Sequence, residues 1–298
     1  MGFEKRRWSR RGFLGAVGAA SLSGCLGSSS ENALKVGVVP DVDPDTAIEA
    51  NTPLANYLEE TIGRSVELDT TSDYAGVVRA MVSEQVDLAY FGGVSYILAH
   101  QRAGAVPIVV GKSDGTTLWE SAFIVPDDSD LESMEAVTEA PADLSLVFGD
   151  PLSTSGTVMP SYYLETEFGL EPTADFDSVT HVGAHDATAQ TIQTNGGDLG
   201  ALNARIFDDL KESGSVSGVR EIWRSPGFPD YPWAVSPTVS ESTRSDIQAA
   251  FLELDDKGRS EILEIQNVDE YVPVDHETFT SLEKAVEMAG IEDFDSSS

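Results

Sequence analysis

Three consecutive hydroxyl residues, Ser153-Thr154-Ser155, stand between a short apolar run and a helical pattern in this chain. The run Leu144–Phe148 is typical of a buried strand, and the pattern that begins at Ser155 is typical of a helix. The first turn of a helix has unpaired backbone N–H groups and carries partial positive charge. Hydroxyls and amides that converge there can hold a phosphate-like oxyanion without a cation, so we predict an anion site. The plainer alternative is that one hydroxyl only caps the helix.

The elements that must position this turn predict an α/β protein. Between Leu34 and Val110, short apolar strands alternate with amphipathic helices, which is typical of a largely parallel sheet. A second set of strands and helices runs from about Ser121 to Trp223, and after the strand Trp233–Val235 the pattern predicts only helices. Ligands of such sheets bind beyond the carboxyl ends of the strands, where the helices begin.

The helices at the end of the chain need a sheet to cover, and the first set of strands can supply it. We therefore predict two lobes, with residues 34–120 and 225–298 in a discontinuous first lobe and residues 121–224 in the second. The chain then crosses between the lobes near Trp119–Val125 and near Ile222–Pro232. A cleft hinged at two crossings closes around a ligand, which is the geometry of a binding protein.

Residues 1–24 have the pattern of an export signal. A twin arginine in a basic region is followed by Phe13-Leu14 and a short run of small residues, which resembles the Tat route for folded proteins. Leu22-Ser23-Gly24-Cys25 matches the lipobox of a prokaryotic lipoprotein, which predicts that Cys25 is acylated and that residues 25–33 form a tether. We expect the protein outside the cell, attached to the membrane only through this lipid. The alternative for a lone cysteine is a buried or spare thiol.

The balance of charges excludes several partners. The chain has 51 acidic and 18 basic residues, a formal net charge of −33, so nucleic acid and anionic lipid would be repelled. Such an excess of acid is typical of adaptation to concentrated salt, where the screening length falls to about 3 Å at 1 M. A disordered acidic chain is the alternative, but 41% hydrophobic residues and periodic segments argue against it.

Metal and disulfide chemistry find no support in the sequence. Cys25 is the only cysteine, so the exported domain has neither a disulfide nor a cysteine metal site. The four histidines show none of the clustered spacings of a metal centre. We predict no metal, no cofactor and no catalytic residue.

Five motifs together resemble the substrate-binding proteins of phosphonate, phosphite and phosphate ABC transporters. They cover the chain from about Leu34 to Phe279 in the family's order and spacing: Asp73-Tyr74-Ala75, Val86–Gly92 with Ser95-Tyr96, Asp150–Gly156, Ala184-His185-Asp186-Ala187 and Pro229-Asp230-Tyr231-Pro232-Trp233. The resemblance implies a type II periplasmic-binding-protein fold that holds a small phosphorus oxyanion between its lobes. It also implies a monomer that delivers this ligand to the permease of an ABC importer.

By motif position, the resemblance also implies a set of ligand-binding residues. The oxyanion donors are Ser153, Thr154 and Ser155, opposed by hydroxyls from the first lobe and by polar groups from the second: Tyr74, Tyr96, His185, Asp186 and, after Gly200-Ala201, Asn203. The family usually has a polar or acidic residue at the position of Asn203, and an amide in place of a carboxylate there would alter the preferred protonation state of the ligand. Since a carboxylate accepts a proton that a phosphorus oxyanion can carry and sulfate cannot, we expect Asp186 to reject sulfate.

Other interpretations of the same residues stay open at this point. Tyr74 and Tyr96 could be aromatic core residues, and His185-Asp186 could cap a helix. An exported hydrolase built on Ser155 and His185 would need a nucleophile elbow, and the chain has no Gly-x-Ser-x-Gly. The same fold could instead bind a sulfonate, a thiamine-type pyrimidine precursor or another oxyanion.

Overall fold

The computed structural model describes residues 33–255 and 259–291. The predicted export signal, Cys25 and all but the last residue of the predicted tether lie outside these ranges. Within them, no helix is both long and apolar enough to cross a membrane.

Thirteen strands lie in the described part of the chain. They are β1 (Leu34–Val38), β2 (Val66–Thr70), β3 (Leu88–Tyr90), β4 (Val106–Lys112), β5 (Leu118–Trp119), β6 (Ser121–Pro126), β7 (Ser145–Phe148), β8 (Ser178–His181), β9 (Leu199–Asn203), β10 (Val219–Arg224), β11 (Phe228–Pro229), β12 (Pro232–Val235) and β13 (Glu270–Pro273).

Helices connect and cover these strands. The α-helices are α1 (Pro44–Ile62), α2 (Tyr74–Val82), α3 (Gly93–Ala103), α4 (Met134–Glu139), α5 (Met159–Glu167), α6 (Pro172–Asp175), α7 (His185–Gln193), α8 (Ala204–Glu212), α9 (Glu241–Leu252) and α10 (Glu283–Ala289). Two 3-10 segments, Pro141–Asp143 and His276–Leu282, and two π-helical turns, Thr154–Val158 and Arg259–Leu263, complete the described helical structure.

Two separate sheets form the two lobes. The first has the order β13-β4-β12-β3-β1-β2, and the second has the order β10-β6-β9-β7-β8. Strands before residue 113 and after residue 231 belong to the first sheet, whereas those from 121 to 224 belong to the second. The strands of each sheet come from residues assigned to one predicted lobe, and the lobe boundaries themselves stay a prediction. The antiparallel ribbon of β5 and β11 lies where the chain passes between the sheets.

Each sheet is mixed, with a parallel part next to an antiparallel part. β1 is parallel to β2 and β3, while β12 and β13 are added in antiparallel orientation. In the second sheet, β7 is parallel to β8 and β9, and β6 is antiparallel to β9 and β10. The expectation of helices alone after Val235 is therefore wrong, because residues 270–273 pair with the outer side of β4.

The start of α1 also differs from the sequence-based expectation. The pattern predicts a helix from Pro53, but α1 begins at Pro44, where the carboxylate of Asp43 accepts the N–H groups of Asp45 and Thr46. Pro53 lies inside this helix. Because a proline usually starts or breaks a helix, Pro53 suggests a helix start, and the sequence pattern does not predict the turns of α1 that precede it.

Apolar packing continues from one lobe into the other. The second sheet is covered by apolar side chains on both faces, around Phe123 and Phe148 on one face and around Ile124 and Ile192 on the other. A further cluster joins Val158 and Met159 of the second lobe to first-lobe residues such as Leu282 and Val286. This contact fixes the π-helical turn against the first lobe, and the turn carries the predicted anion site.

Candidate functional site

The predicted hydroxyl turn lies at the junction of the two lobes and is fully buried. Ser153, Thr154 and Ser155 are each exposed by 1% or less. The turn is a π-helical turn over Thr154–Val158, followed by α5, and not the ordinary helical start that the sequence predicts. Pro160, which has no N–H, stands second in α5, where a proline is tolerated. Wide turns of this kind are frequent at functional sites because they re-aim the backbone.

A glycine allows the turn to approach the opposite wall closely. A Cβ at Gly156 would lie 2.8 Å from Oγ of Ser153 and 3.0 Å from Cε1 of His185. The N–H of Gly156 donates to Oγ of Ser153 at 3.1 Å, and its carbonyl accepts from the N–H of Gly149 at 3.0 Å. The Ser-Thr-Ser-Gly sequence therefore needs its glycine for packing against His185.

The first backbone N–H groups of α3 form hydrogen bonds with two residues that are distant in sequence, Thr154 and Asp230. The N-cap of α3, Gly92, has no side chain to cap the helix. The free N–H groups are used by Oδ1 of Asp230, which accepts from Gly93 at 2.5 Å, and by Oγ1 of Thr154, which accepts from Val94 at 3.0 Å. Because the N-terminus of a helix favours negative charge, α3 stabilises the carboxylate of Asp230.

Asp230 presents an unpaired oxygen next to the hydroxyl turn. The residue is 1% exposed, and its Oδ2 is buried without a hydrogen-bond partner among the described residues. Burial raises the pKa of Asp230 to about 6, although the N–H groups of Gly93 and Tyr231 and the nearby hydroxyls of Thr154 and Ser155 lower it. A buried acceptor left unpaired costs about 1–3 kcal/mol, which a donor on a ligand would recover.

His185 forms the opposite wall as a neutral imidazole. It is 1% exposed, and burial lowers its pKa to about 3. Its Nδ1 accepts the N–H of Asn203 at 3.2 Å, which assigns the ring proton to Nε2. Nε2 then donates to the hydroxyl oxygen of Tyr231 at 3.2 Å. The hydroxyl proton of Tyr231 is thereby left to donate elsewhere.

Asn203 supports the turn from the second sheet. Its Oδ1 caps α8 by accepting from the N–H groups of Arg205 and Ile206 at 3.0 and 3.1 Å. Its Nδ2 donates to Oγ of Ser155 at 3.3 Å. Because its oxygen is bound to the N–H groups of α8 and its nitrogen donates to Ser155, Asn203 orients the Ser155 hydroxyl. The proton of this hydroxyl can then point toward an acceptor on a ligand.

Tyr74 reaches the turn from the first lobe. Its ring is 1% exposed, and its hydroxyl lies beside Ser153. The backbone N–H of Tyr74 donates to Oδ2 of Asp150 at 3.2 Å, while Oδ1 of Asp150 accepts the N–H of Leu152 at 2.7 Å. Asp150 therefore links the start of α2 to the segment that leads into the hydroxyl turn.

Two predicted ligand residues are not brought to the turn. The Tyr96 hydroxyl forms a 2.9 Å hydrogen bond with Nδ1 of His276, and its ring packs against Phe279, so it belongs to the core of the first lobe. Oδ1 of Asp186 accepts the N–H of Ala187 at 2.9 Å, and the residue faces a separate groove. The helical period explains both outcomes, because neighbouring positions on a helix point in different directions.

The structure adds three residues that sequence reasoning did not assign to the site. Asp230 and Tyr231 lie in a recognised motif, but nothing in the sequence shows that their side chains turn toward Thr154 and His185. Tyr231 has φ of 53°, a left-handed conformation that is rare for a bulky residue and common at functional sites. Asp41 joins them through its carbonyl, which accepts the N–H of His185 at 3.0 Å. The unusual backbone of Tyr231 could not be predicted from local sequence.

The arrangement is suited to binding an anion and does not provide a catalytic dyad. Hydroxyls of the turn, Tyr74 and Tyr231 lie buried around a neutral histidine. These fixed donors need no reorganisation to meet a small oxyanion. Nδ1 of His185 is occupied by a backbone N–H and Nε2 by Tyr231. His185 thus has no free nitrogen to activate Ser155 as a nucleophile. The fold and the site define a two-lobe solute-binding protein.

Comparison with known proteins places the chain in a particular family. The profile of the family described as "ABC transporter, phosphonate, periplasmic substrate-binding protein" matches residues 36–279. The chain belongs to this family. It is accordingly an extracytoplasmic substrate-binding protein of an ABC importer and not an enzyme.

Individual relatives agree with this assignment. The phosphonates-binding periplasmic protein of Escherichia coli K12 is 29% identical over 234 residues, which is 78% of this chain and 69% of the relative. A probable ABC transporter phosphite binding protein of Prochlorococcus marinus MIT 9301 is 26% identical over 272 residues, 86% of this chain and 89% of the relative. A crystal structure from the same organism, in complex with methylphosphonate, has a TM-score of 0.79 at 24% identity and covers 87% of this chain and 98% of that one. It shows the same fold.

Proposed function

We propose that this protein captures a phosphorus oxyanion, either phosphonate, phosphite or phosphate, between its lobes and delivers it to its importer. The observation that carries the proposal is the buried, unpaired Oδ2 of Asp230 beside the hydroxyls of Thr154 and Ser155. The hydroxyls suit the ionised oxygens of the ligand, and the carboxylate oxygen suits an oxygen that carries a proton. The phosphonate and phosphite specificities in the names of the two relatives support the same class of ligand.

We propose that Asp230, and not Asp186, distinguishes a ligand that carries a proton from one that is fully ionised. Against a fully ionised oxyanion its carboxylate would be repelled, because charges interact strongly in a dry cleft. Against a monoprotonated oxyanion it accepts a short O–H···O hydrogen bond. Phosphorus oxyanions carry such a proton near neutral pH, with a second ionisation at about pH 6 for phosphate esters. Sulfate has no proton to offer at this pH, so Asp230 discriminates against it.

The use of neutral donors fits the charge of the whole chain. With a formal charge of −33, a cation placed at the hydroxyl turn would readily form internal ion pairs with carboxylates. In concentrated salt its attraction for a ligand would also be screened. Hydroxyls and backbone N–H groups in a buried turn keep their strength under both conditions. We propose on this basis that the protein works in concentrated salt.

The site of action that we propose is the outer face of the cell membrane. The twin arginine before Phe13-Leu14 supports export by the Tat route, and the lipobox at Leu22–Cys25 supports acylation of Cys25. The residues that follow would then act as a tether for a monomeric receptor. A single lipid chain binds membranes only marginally, so stable attachment would require more than one acyl chain on Cys25.

Calorimetric titration tests the proposed ligand class. The ligand-free protein is titrated in concentrated KCl with phosphate, phosphite, methylphosphonate, 2-aminoethylphosphonate and sulfate. We expect heat of binding and saturation at one site with at least one phosphorus compound, and no saturation with sulfate. Saturation with sulfate alone, or with none of the five anions, would overturn the proposal.

A further inference from the structure

One pocket between the lobes is lined by Asp41 and Tyr231, both of which also hydrogen-bond to His185. It has a volume of about 150 Å³, and residues from both lobes line it. We call it the Arg205 pocket, and its polar and aromatic lining includes Asp41, Tyr90, Trp119, Arg205, Asp209 and Tyr231. Tyr231 and Asp41 connect this pocket to the hydroxyl turn, because both line it while the tyrosine hydroxyl and the aspartate carbonyl accept hydrogen bonds from His185.

Aromatic rings give the Arg205 pocket a rigid wall. Tyr90 and Tyr231 stack with their ring centroids 5.2 Å apart, and Trp119 meets Tyr231 edge-on at 4.7 Å. Behind Tyr90, the ring of Trp233 lies 5.0 Å away in the core of the first lobe. Interlocked rings change shape little, so the pocket is suited to a compact organic group of a few heavy atoms.

Arg205 is the one lysine or arginine that lines this pocket. Its guanidinium carbon lies 3.9 Å above the centre of the Trp119 ring. Its Nη1 is buried and has no hydrogen-bond partner among the described residues. A buried guanidinium N–H without an acceptor is unfavourable, and stacking on a ring offsets this only in part.

The absence of a carboxylate partner for this nitrogen is notable in a chain with 51 acidic residues. Arg224, for comparison, has Glu120, Asp208 and Glu221 within ion-pair distance. Asp209, which lines the same pocket, is held by the amide of Asn267, which donates to both of its oxygens at 3.0 and 2.9 Å. Asn267 thus occupies both oxygens of Asp209, while Arg205 and Asp209 attract each other through their charges.

We propose that the Arg205 pocket is a subsite for the organic arm of a phosphonate, and that Arg205 selects an arm ending in a carboxylate. The inference rests on the proposed function, since the phosphorus group must first occupy the hydroxyl turn. From there the arm passes the ring of Tyr231 and brings its carboxylate to the guanidinium. An arginine and a carboxylate form charge-assisted hydrogen bonds, which an uncharged alkyl arm cannot offer.

Two acids that face the pocket are compatible with a carboxylate arm. Burial raises the pKa of Asp41 to about 7, so it is largely protonated below that pH and can donate a hydrogen bond to the arm. Burial also raises the pKa of Asp209, which weakens its repulsion of a carboxylate arm, and both of its oxygens are occupied by the amide of Asn267. An ammonium arm would meet the repulsion of Arg205.

Three phosphonates of similar size test the selection by calorimetry: phosphonoacetate, ethylphosphonate and 2-aminoethylphosphonate, with methylphosphonate as the reference without an arm. We expect the wild type to bind phosphonoacetate about tenfold or more tightly than ethylphosphonate. Arg205→Met, which replaces the guanidinium over Trp119 with an uncharged thioether, should abolish this preference and leave affinity for methylphosphonate within about twofold. Arg205→Lys should retain part of it.

Arg244→Met is the matched control, because it removes the same charge from an exposed ion pair on α9. It should retain the wild-type preference, and thermal unfolding of each variant checks that the proteins are folded. Equal affinity of the wild type for the three arms, or the same preference in both arginine-to-methionine variants, would overturn the subsite while methylphosphonate still binds. Absence of binding for every phosphonate would overturn the proposed function and this inference with it.

Discussion

The imidazole of His185 and the hydroxyl of Tyr231 meet at 3.2 Å across the cleft, one from the second lobe and the other from the crossing between β11 and β12. Since Nδ1 of His185 is occupied by the N–H of Asn203, the histidine can only donate to Tyr231. The tyrosine proton is then directed away from the histidine. The contact between His185 and Tyr231 thus leaves the tyrosine O–H as a hydrogen-bond donor that the first lobe can offer to a ligand.

Replacement of Ser155 by alanine tests the hydroxyl turn. We expect Ser155→Ala to weaken binding of the phosphorus oxyanion by about 1.5–3 kcal/mol, the usual loss for a hydrogen bond to a charged group. Calorimetry with phosphite or methylphosphonate measures this. Ser83→Ala is a suitable control, because that exposed hydroxyl donates to the carbonyl of Arg79 at the end of α2. Unchanged affinity in Ser155→Ala would remove the turn from the site.

Replacement of Asp230 by asparagine tests the reading of the ligand proton. In the wild type, affinity for phosphite should decline as the pH rises through the second ionisation of the ligand, because the proton shared with Asp230 is lost. In Asp230→Asn this dependence should flatten, and sulfate should bind, since an amide can donate to an ionised oxygen. Asp186→Asn serves as the control with the same change in charge. If it alone admits sulfate, the proton is read by Asp186 and not by Asp230.

The buried histidine predicts how stability depends on pH. Burial lowers the pKa of His185 from 6.5 to about 3, so its neutral form stabilises the fold fully above pH 6.5. This contribution is lost as the pH falls toward 3, by up to about 1.4 kcal/mol per pH unit. Asp230 and Asp41, with pKa values raised to about 6 and 7, act in the opposite direction, because their contribution is full below 3.8 and is lost as the pH rises.

His185→Gln separates these opposing effects. The variant loses the acid-sensitive contribution, so its free energy of unfolding should fall steadily as the pH rises from 4 to 7. The wild type should show a flatter profile over the same range. Urea unfolding at constant salt measures both curves. Parallel curves for the two proteins would show that His185 titrates normally in the folded state.

The close contact at Gly156 predicts a specific sensitivity to a single methyl group. Gly156→Ala places a Cβ within 3.0 Å of Cε1 of His185 and still closer to Oγ of Ser153. Relief of such overpacking usually costs about 1–3 kcal/mol, and here it would move the turn away from His185. We expect lower thermal stability and weaker ligand binding together. Wild-type affinity in this variant would mean that the turn tolerates displacement and is not finely positioned.

The proposed lipid anchor predicts a separation of location from binding. Cys25→Ser should release the protein from the membrane fraction, because no acyl chain can be attached. Ligand affinity should be unchanged, since the anchor precedes the folded domain. Fractionation of cells followed by titration of the purified protein measures both. Ser29→Ala is the control in the same segment, and retention of Cys25→Ser at the membrane would contradict the lipobox assignment.

Local sequence determined the order of most elements and the position of the hydroxyl turn. Strands such as Val66–Thr70 and helices such as the one beginning at Tyr74 follow directly from hydrophobic periodicity. The Ser-Thr-Ser-Gly sequence predicts the position of the turn, because hydroxyl residues and glycine are favoured where a helix begins. Where the signal was ambiguous, as at Pro53, the expected boundary was wrong.

Only the tertiary structure decided which polar side chains meet at that turn. Asp230 lies 76 positions after Thr154, and their common contact with the start of α3 depends on packing between lobes. The same packing places the Tyr96 side chain in the core of the first lobe, although Tyr96 belongs to a motif that resembles a ligand-binding motif of the family. Periodicity determines which face of a helix is buried but not which distant element covers it. The unpaired groups of Asp230 and Arg205, on which the proposed specificity depends, exist only in the assembled cleft.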